Sequence, residues 1–196
     1  MTNSKERIDS TERKTEVLNM FLDTLIAKGV SDTTVRDLSA SINLQSAGMY
    51  YYYQTKEELI VACAEEAALR LEDNLISPAL HDIEKPHQLI TKLLLRAEEM
   101  APTMKFLIQV CATPKYEHLI KPAIDRLSER YVFYSKKFAD KLNCRVDDVS
   151  PYMYMCITAI TNFMVFDTKE YIEPQMVIIE NALNRLLQAK KKGCES

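Results

Sequence analysis

The chain has 196 residues, 47% of them apolar, which is enough for one large domain or two small ones with a real core. Its formal net charge is −3, and residues 1–60 hold more acids than bases, so total charge gives no nucleic-acid signal. No run approaches the ~20 apolar residues of a membrane span, and the polar start MTNSKERIDSTERK has no signal-peptide core; both predict a cytoplasmic protein with no membrane attachment.

Residues 1–11 read as a frayed arm. A first helix is predicted over about Glu12 to Lys28, because Val17, Leu18, Phe21, Leu22 and Leu25 recur at three-and-four spacing and give one apolar face. Gly29 follows as a natural helix terminator. Thr34 then caps a second helix, with Asp37 three residues later facing the free amides of its first turn. Thr55 repeats the device with Glu58, the residue a capping box prefers. Between the two caps, after the polar break Asn43, a helix of ~9 residues is predicted over about Gln45 to Tyr53. Short helix, break, short helix, then a longer one is the helix-turn-helix plan. Residues 38–54 contain no acid, although the region around them does. Tyr50, Tyr51, Tyr52 and Tyr53 are consecutive, so at ~100° per residue at least two rings face outward. Their hydroxyls suit phosphate oxygens or base edges. Tyr53 is assigned to packing and Tyr50 to Tyr52 to DNA contact.

Thr55 opens a longer helix to about Ile76, with Leu59, Ala62, Cys63, Ala67 and Leu71 inward. Pro78 and Pro86 bracket a polar connection, and the next helix runs from about His87 to Met100. Pro102 and Pro114 flank a separate segment of helix length, apolar on most sides and therefore expected to be buried on most sides. Pro122 either kinks or starts the following long helix, whose seam is Ile120, Ile124, Leu127, Tyr131, Tyr134 and Phe138. Ser150-Pro151 opens the eighth helix as cap plus first-position Pro. From Tyr152 to Phe166 that helix has only Thr158, Thr161 and Asn162 as polar breaks, so part of it is expected to meet another subunit. Pro174 opens the ninth, with Ile172, Met176, Ile179, Leu183 and Leu186 spaced for helix-against-helix packing. Lys190 to Ser196 reads as a solvated tail. The expectation is an all-α protein of about nine helices. Residues 1–54 form the helix-turn-helix domain, and residues 55–196 a helical ligand-binding and dimerisation domain.

Residues 13–63 resemble the DNA-binding domain of the tetracycline-repressor (TetR) family. The matching residues are Val17-Leu18, Lys28-Gly29, Thr34-Val35-Arg36-Asp37-Leu38-Ser39, Gln45-Ser46-Ala47-Gly48-Met49-Tyr50, Tyr53 and Thr55-Lys56-Glu57-Glu58-Leu59. Asn43 stands where the family usually has a turn Gly, Tyr53 for a Phe, Leu25 for a Phe and Ser39 for an Ala. Asn43 is the mildest departure, since Asn tolerates the left-handed conformation a turn Gly supplies. The resemblance implies phosphate contacts by Tyr50 and Lys56. It also implies that the last two helices pair with those of a second copy as a four-helix bundle.

The DNA-facing residues are thus expected to be Thr34, Gln45, Ser46, Tyr50, Tyr51, Tyr52 and Lys56, with Gln45, Ser46, Tyr51 and Tyr52 nearest the base edges of a palindromic operator. Phe163, Met176, Ile179, Leu183 and Leu186 are expected in the homodimer interface. A small-molecule effector site is expected from Met100, Met104, Cys111, Tyr131, Tyr134, Met153, Asn162, Phe163 and Phe166. These mix soft, aromatic and a few polar groups as ligand pockets do, though single core residues look the same. Asn162 is singled out because a buried amide needs partners. Five widely spaced cysteines without Cys-x-x-Cys, and three histidines without ligand spacing, predict no disulfide framework, metal or cofactor. No catalytic motif is present, so an enzyme is not expected. The function these readings support is a ligand-responsive transcriptional regulator, usually a repressor in that family. The alternative is a DNA-bound adaptor of the same fold with no effector.

Overall fold

The computed structural model describes residues 3–45 and 47–193, with side chains from Glu12 to Lys191. Among the described residues the chain is 86% helical with no strand, which makes it all-α. Seven helices are formed: α1 (Asn3–Lys28), α2 (Val35–Ser41), α3 (Lys56–Leu71, continuing through a π turn Glu72–Ile76 into Ser77–Asp82), α4 (Pro86–Cys111), α5 (Glu117–Leu142), α6 (Val146–Phe166) and α7 (Lys169–Gly193). Two of the nine expected helices are lost for identifiable reasons. The segment after Asn43 forms only a 3₁₀ turn, Gly48–Tyr51, and the two helices expected on either side of Pro102 are one helix, α4.

The prolines explain most of the displaced boundaries. Pro102, Pro122, Pro151 and Pro174 all lie inside helices, and all four are exposed. A helical Pro frees the carbonyl four residues back, and on a solvated face water takes that acceptor. α6 begins at Val146 rather than at Ser150, because Asp148 accepts the Arg145 N–H at 3.2 Å and pairs with the Arg145 guanidinium. Pro78 does leave a mark. The π turn Glu72–Ile76 immediately precedes it and widens the helix there, so the expected polar connection after Pro78 is instead helical to Asp82. α1 starts at Asn3, within the expected arm. Lys190 is no free tail: its Nζ donates to Glu84 Oε1 at 3.1 Å and to the Lys141 carbonyl at 2.8 Å.

The chain divides into two compact units. The first is Met1–Leu69 with Phe106–Ala123; the second is Arg70–Lys105 with Ile124–Ser196. In the first, the predicted apolar face of α1 (Val17, Phe21, Leu22, Leu25) is buried with Leu38, Met49, Leu59 and Val110. At ~25 cal/mol per Å² such burial stabilises by roughly 1.5–3 kcal/mol per large side chain. Ile108, expected inside, is exposed, so α4 is amphipathic even in its most apolar stretch. In the second unit α6 packs on α7. Leu93, Phe138, Leu142, Val149, Ile160, Phe163, Met176, Ile179 and Leu183 are buried there. The α5 seam is buried only at Ile120, Tyr134 and Phe138; Ile124 and Leu127 are exposed. Among the described residues α6 is the one helix long and apolar enough to cross a membrane by length and composition alone.

Candidate nucleic-acid interface

The turn between α1 and α2 is built by local chemistry. Gly29 closes α1 at φ +86°, a conformation that costs Gly nothing, and its N–H donates to the Leu25 carbonyl at 2.9 Å. Buried Thr33 donates both its N–H (3.1 Å) and its Oγ (2.6 Å) to the Gly29 carbonyl. The Thr34 capping box forms as its sequence predicts: Asp37 N–H donates to Thr34 Oγ at 3.2 Å, and Thr34 N–H to Asp37 Oδ2 at 2.8 Å. Lys28 Nζ donates to Asp37 Oδ1 at 2.6 Å. That bond and those from Thr34 hold the Asp37 carboxyl well below the usual carboxylate range.

Beyond α2 the backbone turns at Asn43, whose φ of 58° is the left-handed conformation expected of it. Leu44 N–H donates to the Ser39 carbonyl at 2.9 Å, and Met49 N–H to Ser39 Oγ at 3.1 Å. Gly48 is required here, because a Cβ at that position would lie well inside contact distance of Leu44 Cβ. The 3₁₀ turn Gly48–Tyr51 buries Met49 fully and leaves Tyr50 53% and Tyr51 84% exposed. Tyr52 and Tyr53 are half-buried, both edge-on to Phe21, and Lys14 Nζ lies 5.6 Å from the Tyr53 ring centre. Burial pushes the Tyr53 hydroxyl up to about 12. The four tyrosines thus divide into two outward and two packed rings.

The second cap also forms. Glu58 N–H donates to Thr55 Oγ at 3.1 Å, while the Glu58 carboxylate accepts from Gln54 N–H at 3.2 Å, one residue before the cap itself. Lys56 donates to the carbonyls of Val30 (3.2 Å) and Thr33. Glu57 pairs with Lys115 of the Pro114–Tyr116 turn, which lowers the carboxyl's pKa. Of the expected DNA-facing residues, Thr34, Gln45, Tyr50 and Tyr51 are exposed, Tyr52 and Lys56 half-buried, and Ser46 lies outside the described residues.

Residues 22–63 match the model of the tetR family of bacterial regulatory proteins. The chain carries the TetR-family DNA-binding domain. The same stretch holds the Thr34 box, the Asn43 turn and the Thr55 cap, so the TetR-family match and the hydrogen bonds fall on the same residues. The chain is also similar to the biofilm operon icaADBC HTH-type negative transcriptional regulator IcaR of Staphylococcus epidermidis. Identity is 26% over 106 residues, 52% of this chain and 55% of that protein, so the chain spans about half the length of the curated relative it matches. Among solved structures it is similar to the TetR-family transcriptional regulator PfmR from Thermus thermophilus. The TM-score is 0.47 at 16% identity, covering 88% of this chain and 97% of that one.

The second unit contains a half-open cavity of about 120 Å³ with an almost wholly apolar lining. Leu71, Leu75 and Ile76 come from α3 and its π turn, Leu93 and Met104 from α4, and Met153, Cys156, Ile160 and Met164 from α6. Burial pushes the Cys156 thiol up to about 12, so it stays a neutral thiol. Of the nine residues expected at an effector site, only Met104 and Met153 line this cavity. Tyr131 donates to the Ser150 carbonyl at 2.9 Å, and Tyr134 to Glu72 Oε1 at 2.8 Å. Phe163 is buried, Asn162 and Phe166 are exposed, Met100 is half-buried and Cys111 belongs to the other unit. Among the wall residues that were not expected, Leu75 and Ile76 owe their position to the π turn, which carries no sequence period of its own.

The residues expected at a dimer interface are also redistributed. Phe163, Met176, Ile179 and Leu183 are buried within the chain, and Leu186 is half-buried. The outward apolar side chains of α6 and α7 are instead Val146, Tyr154, Ile157, Phe166, Tyr171, Val177 and Ile178.

Proposed function

We propose that the chain is a DNA-binding transcriptional regulator. It represses by occupying a palindromic duplex site as a cytoplasmic homodimer, and a small, largely apolar effector releases it. The observation that carries the reading is the outward pair Tyr50 and Tyr51, held on a turn whose Met49 is fully buried and whose backbone is tied to Ser39. Rigid presentation of two hydroxyl-bearing rings on an acid-free segment is what contact with phosphates and base edges requires. Thr34, Gln45, Ser46 and Tyr52 flank them in the proposed DNA-facing set. The name of the Staphylococcus epidermidis relative, a negative transcriptional regulator, supports the direction of control.

The outward apolar face of α6 and α7 supports self-association, since exposed patches of that kind mark interaction sites. Two copies would set two recognition segments about one DNA turn apart, ~34–36 Å. The cavity supports the effector. At about 120 Å³ the cavity is smaller than the ~150 Å³ apolar cavity that holds a benzene, so the part of an effector it encloses is small and uncharged. Such a molecule changes DNA affinity only as far as it prefers one protein conformation over another. The test is a titration of the full chain with labelled duplexes from upstream of its own coding region, repeated with any small molecule that raises its melting temperature. Tight binding to one duplex, weakened by that molecule, is expected. Tight binding that no such molecule alters would favour the adaptor reading.

A further inference from the structure

Beside the cavity of about 120 Å³ in the second unit lies another of about 60 Å³, also lined almost wholly by apolar atoms. Leu89, Val149, Ile179 and Leu183 line only this smaller one, and all four are buried. The two cavities share Ala79, Leu93, Phe138, Met153 and Cys156, so these side chains form the partition between them. Met153 is its adaptable member. It is unbranched, and its thioether is held by a weak hydrogen bond, buried Ser135 Oγ donating to Met153 Sδ at 3.7 Å.

The volumes decide what shape of ligand fits. An apolar cavity of ~150 Å³ holds a six-carbon ring, or roughly 25 Å³ per carbon. On that scale the larger cavity takes about five carbons and the smaller about two, so neither encloses a ring by itself. A chain one methylene wide can divide itself between them once Met153 swings aside; a ring cannot. Almost no polar surface lines either cavity, so a charged or hydrogen-bonding group inside would go unpaired at a large cost. The polar end of a ligand must therefore stay at the opening of the larger cavity.

We infer that the second unit binds an unbranched alkyl chain of about seven carbons, with its polar end at the opening of the larger cavity and its tail past Met153 in the smaller one. This deepens the effector reading and rests on it for the consequence at the DNA, but not for the binding itself. Each further methylene that is buried raises affinity about fourfold, until the enclosed space ends.

The experiment titrates the full chain calorimetrically with straight-chain primary alcohols of four to ten carbons, and with cyclohexylmethanol, which has the carbon number of 1-heptanol in a ring. In the native chain affinity is expected to rise about fourfold per carbon up to about seven carbons and then level off, with cyclohexylmethanol at least about tenfold weaker than 1-heptanol. Val149→Phe, which fills the smaller cavity, is expected to bring the levelling down to about five carbons and to leave 1-butanol affinity unchanged. Met153→Ile, whose β-branch stiffens the partition, is expected to do the same and serves should Val149→Phe not fold. Levelling at about five carbons in the native chain, or none by ten, overturns the inference. So does an unmoved limit in the folded variants, cyclohexylmethanol binding as tightly as 1-heptanol, or no binding of any chain. If the native series behaves as expected while 1-heptanol leaves duplex affinity unchanged, the inference stands and the effector reading fails. A ring that weakens DNA binding where no chain does has the reverse meaning.

Discussion

Ser39 Oγ, with no exposed surface, accepts the Met49 N–H at 3.1 Å across ten residues of sequence. One hydroxyl thereby couples α2 to the turn that carries the exposed tyrosines, at a position where the resembled family usually has Ala. Ser39→Ala should lower the stability of the domain by about 1 kcal/mol, the usual net worth of a hydrogen bond with a buried partner. Denaturant unfolding checks this as a fall in midpoint at constant slope. An unchanged midpoint would mean that packing of Met49 alone holds the turn.

The four tyrosines predict opposite phenotypes for neighbours. Tyr51 is 84% exposed, so Tyr51→Ala should leave stability within about 0.5 kcal/mol while weakening DNA binding. Tyr53 packs edge-on against Phe21 beneath Lys14, so Tyr53→Ala should lower stability by at least about 1 kcal/mol. Melting temperature and duplex affinity, measured together on both variants, separate the two roles.

Local backbone chemistry was the most legible part of this chain. The Thr34 box, Gly29 and Asn43 depend on partners within a few residues, and each takes the conformation its neighbours dictate. The apolar periodicities of α1 and α3 also turn inward, except that Leu18 and Ala62 are only half-buried. Legibility failed where the deciding partner is distant in sequence or outside it. The spacing of Met176, Ile179 and Leu183 reveals an apolar stripe, but it does not say whether the stripe meets α6 of the same chain or another copy. Lys56 reads only as a phosphate contact, because the sequence does not show that the carbonyls of Val30 and Thr33 lie beside its ammonium. Pro102 reads as a helix break, because sequence does not show that its ring faces solvent.

Adjacent isoleucines test the dimer. Ile178 is 54% exposed and Ile179 is 3% exposed. Ile179→Asp should place an unpaired charge in the core and unfold the second unit. Ile178→Asp should leave the fold intact and dissociate a dimer built on the outer face of α6 and α7. Sedimentation and circular dichroism read the two outcomes. A folded Ile178→Asp variant that still sediments as a dimer at low concentration would move the interface elsewhere.

Buried Glu72 opens the π turn and accepts from the Arg130 guanidinium (Nε at 2.8 Å) and from Tyr134. The Arg130 contact, and then the Tyr134 hydroxyl, hold its carboxyl below the usual range. A depressed carboxyl contributes stability that is complete above its unfolded pKa, ~4.3, and is lost as pH falls through the folded value. Glu72→Gln should therefore cost on the order of 1 kcal/mol at neutral pH, discounted because Arg130 is half exposed. The difference from the native chain should shrink as pH drops below ~4.3. Thermal melts of both proteins across that range check the sign.

The first unit is expected to read a specific duplex through its outward tyrosines. Selection of bound sequences from a random duplex pool by the full chain tests it most directly, run beside a Tyr50→Ala/Tyr51→Ala variant of equal melting temperature. The expected result is enrichment of an inverted repeat with half-sites about one helical turn apart, lost or reduced to non-specific binding in the variant. A native chain that enriches no inverted repeat, or a variant that enriches the same one equally well, would contradict the claim.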